Sequence, residues 1–245
     1  MLEIMLLLLV AQVDGFCVEC GAQSPLCKPS HILMAEQPKQ QTPYLDRDLS
    51  RQLVFNQLAV SYPIWSGGIG AQILNNQVHL DNPIVWLLGI IGALPILGVG
   101  RAIEKSPAPL FTTLNLSTNN IVERLFGEEK QPAFALVVSV FLALLTGVGE
   151  EILFRGQIFP ALCNYGVEHG YATTLREAIP FGATTSTIAF AFGHLPFFGG
   201  LANLFSRDSL VLFALQLATG ATFMACFLLS GDLTTPIVAH FLYDL

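Results

Sequence analysis

Gly149-Glu150-Glu151-Ile152-Leu153-Phe154-Arg155 sets three ionisable side chains inside an apolar run that extends from residue 132 to about residue 163. A carboxylate or guanidinium at bilayer depth costs at least about 2.5 to 3.5 kcal/mol, so a cluster of them marks a polar cavity with a use. The stretch reads as half of an active site carried on a membrane helix. The rest of the composition agrees: the 245 residues are 53% hydrophobic and only 12% charged, with mean hydropathy +0.59, which is the balance of a membrane protein. Apolar runs close to the roughly 20 residues that cross a bilayer recur along the chain, and helices satisfy the backbone there. The expected fold is all-α, a polytopic transmembrane helix bundle with its active site inside the membrane. A net charge of -7 with scattered Lys and Arg gives no footprint for nucleic acid, so lipid and a peptide or protein are the expected partners.

Outward from that stretch the chain divides into four parts. Residues 1–33 form a candidate targeting leader, apolar over 1–13 but with Glu3 where a positive charge is usual. A secretory or a plastid membrane is the destination such a leader suits, and Met34 is a second candidate start. Cys17, Cys20, Cys27 and His31 are spaced loosely like a zinc knuckle, but a single CxxC without a second pair carries little weight. Residues 34–82 read as a polar linker, 35–51, followed by a membrane-surface segment, 53–74, broken by Pro63, Gly67, Gly68 and Gly70. Residues 83–131 comprise a first span, capped by Asp81-Asn82 and closed by Arg101, and an extramembrane loop that is turn-like over 112–121 with a short surface helix at 122–126.

Residues 132–245 hold the chemistry. After the charged cluster, 163–177 turns polar, 179–194 is apolar again and ends in Phe190-Ala191-Phe192-Gly193-His194, and 210–229 is an ordinary span expected to serve packing. The last element starts near Thr235-Pro236 and carries His240 and Asp244. Ten helical residues rise only about 15 Å, which puts both side chains at membrane depth and leaves the final carbonyls in need of a wet cavity or of further chain.

Spacing assigns provisional roles. Glu151 and Arg155 are i,i+4 on one helical face, so the guanidinium can hold the carboxylate ionised, while Glu150 lies about 100 degrees around the helix and is available to a cavity. His240 and Asp244 repeat the i,i+4 spacing, as do Phe190 and His194, so Asp244 can fix the imidazole's tautomer. A carboxylate, two imidazoles and supporting acids are the parts that activate water and stabilise an oxyanion. Glu150, His194 and His240 are equally a candidate metal set, with zinc the cofactor it suits.

Glu150-Glu151-x-x-x-Arg155, Phe190-x-x-x-His194 and His240-x-x-x-Asp244, in that order on apolar helices, resemble the three-motif pattern of the CPBP intramembrane protease family, which includes type II CAAX prenyl proteases and bacteriocin-processing, Abi-like proteins. The resemblance covers residues 132–245. It implies an all-helical core that cleaves peptide bonds of membrane-associated proteins, prenylated CAAX proteins among them. It implies Glu150 as general base, His194 as a holder of water, Arg155 as the support of Glu151, and His240 with Asp244 as the oxyanion site. Asp244 departs from the Asn common at that position and accepts rather than donates unless it is protonated. Members are commonly described as metalloproteases, yet the two histidines here lie on different helices, unlike the compact pair of soluble zinc proteases. A non-catalytic scaffold and a proton-relay transporter are the competing classes, and no repeat of broken helices supports the latter.

Overall fold

In the computed structural model, residues 45–245 are described apart from 67, 128–130 and 196–204. The leader, the spacing of Cys17, Cys20, Cys27 and His31, and most of the linker lie outside them. The described residues are helical, without strands: α1 (Arg47–Ser66), α2 (Ile69–Gln77), α3 (Pro83–Glu104), α4 (Pro109–Phe126), α5 (Pro132–Glu151), a π-helical segment (Ile152–Ile158), α6 (Phe159–Glu168), α7 (Leu175–Gly193), α8 (Arg207–Ser230) and α9 (Thr234–Asp244).

The organising element is the unbroken rod of 37 residues formed by α5, the π-helical segment and α6. Pro132 opens it at a position whose N–H has no helical partner to lose. At about 1.5 Å per residue it is roughly 50 Å long, more than one bilayer core. Among the described residues the rod, α3 and α8 are long and apolar enough to cross a membrane. Leu87, Ile90 and Leu94 on α3, and Val137, Phe141 and Leu144 on α5, turn outward. Lipid is the solvent that suits such a surface.

The short α9 is wedged between α3, α5 and α8. It runs alongside α3, where the Thr235 hydroxyl donates to the Val85 carbonyl at 3.2 Å. Gly89 makes this approach possible, because a Cβ there would stand 2.7 Å from both the Thr235 carbonyl oxygen and the Val238 Cβ. Against the rod α9 is antiparallel, since Gly156 faces Leu233 while Gly147 faces Phe241. The end of α5 therefore meets the middle of α9, where His240 sits.

A polar latch pins the start of α9. Leu233 N donates to Gln77 O at 2.7 Å, His79 N donates to Thr234 Oγ1 at 3.0 Å, and His79 Nδ1 lies 2.6 Å from Asp232 Oδ2. Burial pushes the Asp232 carboxyl up, but hydrogen bonds from Thr234 and His79 outweigh it and hold the group below its ordinary range.

Four local readings change. Residues 112–121 are not turn-like: they lie within α4, which is helical from Pro109 to Phe126, and the Thr112 and Thr118 hydroxyls bond back to the carbonyls of Ala108 and Leu114. The polar linker ends before residue 51, because Asp46 caps α1 by accepting from the backbone of Asp48 and Leu49. The segment at 53–74 is two helices, α1 packing against α5 and α2 following a left-handed Gly68 at φ 70. Likewise α7 starts at Leu175 rather than Ile179. Thr174 accepts from Glu177 N, and hydrogen bonds from Thr173 hold the Glu177 carboxyl below its usual range.

Candidate active site

The rod, the end of α7 and α9 bring Glu150, Glu151, Arg155, His194, His240 and Asp244 into one cluster. Glu151 and Arg155 are fully enclosed, at 0% and 1% exposure. Arg155 Nη1 donates to Glu151 Oε1 at 3.0 Å, the pair expected from the i,i+4 spacing. The same Oε1 lies 2.8 Å from His240 Nδ1. Glu151 is thus the hub that joins the rod to α9. Asp244 is not the partner that fixes the His240 tautomer: its Oδ2 faces the other nitrogen, Nε2, at 3.4 Å. The i,i+4 rule sees neighbours on one helix, and the competing carboxylate arrives from another.

His194 follows the last residue of α7, and its Nδ1 is 2.7 Å from the Phe190 carbonyl. A carbonyl only accepts, so Nδ1 carries the hydrogen and Nε2 of the neutral ring is a lone pair. That lone pair faces Glu150 Oε2 at 3.5 Å. His240 is arranged alike, with Nδ1 committed to Glu151 and Nε2 set 3.9 Å from the same Glu150 oxygen. Two acceptors facing each other require something between them: a shared proton, a water that donates to both, or a cation. The cluster has three acids and three bases, which are charge-balanced when both imidazoles are protonated.

The walls are aromatic. Phe190 lies 4.5 Å from the His194 ring, and its face carries the Arg155 guanidinium at 4.8 Å. Phe223 of α8 stacks on His240 at 4.4 Å with 22° between planes, and Gly220 O accepts from Arg155 Nη2 at 2.7 Å. The site opens on one edge, where the His194 and Asp244 side chains are 18% and 26% exposed, against 3% for Glu150 and His240. Among the described residues no group of three His, Cys, Asp or Glu side chains is disposed to hold a metal ion. Both imidazoles of the candidate set Glu150, His194 and His240 aim Nε2 at the same Glu150 oxygen.

This geometry lies within residues 132–245, which match the family described as Type II CAAX prenyl endopeptidase Rce1-like. Over that stretch, somewhat under half of the sequence, the chain is similar to the Rce1-like family. No curated protein and no solved structure matches it. The match agrees with the helices that are long and apolar enough to cross a membrane.

Two contributors to the cluster escaped the sequence reading, which gave α8 a packing role alone. Gly220 acts through a backbone carbonyl and Phe223 through a ring face. Neither is ionisable, so a search for charge in an apolar run passes over both. The glycine itself is a trace of the site: a Cβ on Gly220 would meet Phe190 Cδ1 at 2.8 Å.

Proposed function

We propose that the protein is an intramembrane endopeptidase in which one water, held between Glu150 Oε2 and His194 Nε2, attacks the scissile carbonyl. The single observation that carries this reading is the convergence of these two acceptors, 3.5 Å apart, with Glu150 buried and His194 reaching the open edge of the cluster. A water donating to both has its oxygen lone pairs turned outward to the substrate. As the C–O bond forms, the water proton passes to the Glu150 carboxylate. The carbonyl oxygen becomes an oxyanion, and protonated His240 offers it the Nε2–H, with Nδ1–H anchored on Glu151. Collapse of the tetrahedral intermediate breaks the C–N bond, and the proton held by Glu150 passes to the leaving amine.

Arg155 and Glu151 position His240 rather than touch substrate. Asp244 acts through His240 Nε2, or as a direct donor when protonated. Prenylated CAAX termini are the proposed substrates: the family carries that specificity, and a lipid-anchored peptide is delivered at the depth of the site.

The test is cleavage of membrane-presented peptides, prenylated and unprenylated, by the purified full chain beside Glu150→Ala and His194→Ala, with and without a zinc chelator. Expected are cleavage of the prenylated peptides by wild type, loss in both variants, and survival in chelator. Equal inertness of all three proteins favours a scaffold. Loss in chelator that is restored by added Zn²⁺ overturns the metal-free step.

A further inference from the structure

Glu151 Oε1 serves two donors, Arg155 Nη1 and His240 Nδ1, and α8 backs each of them from the far side. Gly220 O accepts from Arg155 Nη2. One helical turn on, the Phe223 ring lies flat against the His240 imidazole, at 4.4 Å and 22°. These positions are i,i+3, so they share a face of α8. Phe223 is itself fixed: it is 0% exposed, with Phe190 and Tyr243 meeting its edges at 6.4 and 6.2 Å.

A hydrogen bond at Nδ1 alone sets the direction of one ring atom but leaves the imidazole plane able to tilt about it. A second constraint, on the face of the ring, is needed to aim Nε2. Phe223 supplies it, because offset stacking of this kind prefers a narrow range of orientations.

We propose that Phe223 is a positioning residue for His240, and that Gly220 and Phe223 together make α8 a clamp on both partners of Glu151. The proposal rests on the role given to His240 in the hydrolytic reading. Removing the ring lets Nε2 wander by a fraction of an ångström to about 1 Å, which lowers turnover by about 10- to 100-fold. Binding of the peptide, which does not depend on His240, is retained.

The experiment compares the full chain with Phe223→Leu, which removes the ring, and Phe223→Tyr, which keeps it. The readouts are kcat and KM on the cleaved peptides, and the ring C–H signals of ¹³C-labelled histidine in detergent micelles. Expected for Phe223→Leu are a 10- to 100-fold lower kcat, KM unchanged within about two-fold, and a His240 signal that loses its upfield ring-current shift and splits or broadens. Phe223→Tyr restores kcat and the single shifted signal. An unchanged kcat in Phe223→Leu, or a kcat lowered only in step with the folded fraction while the His240 signal stays single, overturns the proposal. If wild type cleaves nothing, the hydrolytic reading fails by itself. The clamp is then judged by the histidine signals: splitting on loss of the ring supports it and a single sharp signal overturns it.

Discussion

Replacing Gly89 by alanine tests how closely α9, and with it His240, is seated. The added Cβ would stand 2.7 Å from the Thr235 carbonyl oxygen and 2.7 Å from the Val238 Cβ, about 0.7 Å short of the 3.4 Å at which ordinary contact begins. Both obstacles are on α9, and one is backbone, so no rotamer change relieves them. The helix must move away from α3 by most of that distance. Overpacking of this size costs about 1 to 3 kcal/mol, against which alanine returns about 1 kcal/mol of helix propensity. The net expectation is a loss of about 0 to 2 kcal/mol. Activity suffers more, because a displacement near 1 Å at a reacting group costs about 100-fold. Gly98→Ala on the same helix is the control, since its Cβ would meet nothing within 4 Å. The assay is thermal unfolding in detergent together with initial cleavage rates. Gly89→Ala should lower the rate by 10-fold or more with a small change in melting temperature, and Gly98→Ala should leave the rate alone. Equal rates for the two variants would refute the reasoning that α9 is held in place by the Gly89 contact.

Two other changes have defined outcomes. Glu151→Gln removes the charge that Arg155 and His240 share; breaking such a buried set costs about 3 to 5 kcal/mol, so the melting temperature should fall sharply and cleavage should vanish, and a variant that melts like wild type contradicts the hub. At the latch, the lowered Asp232 carboxyl contributes stability that is present above its unfolded value of about 3.9 and is lost as pH falls through the folded value. Melting temperatures of wild type should therefore drop more steeply below about pH 4 than those of Asp232→Asn, and parallel curves contradict the assignment.

Charge in an apolar run was the legible signal. It located Glu150, Glu151 and Arg155 on one helix, and the i,i+4 spacing predicted the Glu151–Arg155 pair that the structure contains. It did not give the pairing of Glu151 with His240, because residues 89 positions apart declare their contact only through packing. The polar appearance of 112–121 misled for a different reason: Thr112 and Thr118 stay helical by bonding to their own helix. The start of α7 was readable in Thr174-Leu175-Arg176-Glu177, a capping signature that the apolar onset at Ile179 obscured. Phe223 had no such signature, for an aromatic in an apolar helix is ordinarily core.

The central claim, that Glu150 takes the proton from the attacking water, is tested most directly by single-turnover cleavage of a membrane-presented peptide in ¹⁸O-labelled water by wild type and Glu150→Gln. The amide keeps the size of the side chain and removes its capacity to accept that proton. The account predicts ¹⁸O in the newly formed carboxyl group of the wild-type product and a rate lower by about 100- to 10,000-fold in Glu150→Gln. Cleavage by Glu150→Gln at the wild-type rate would contradict it.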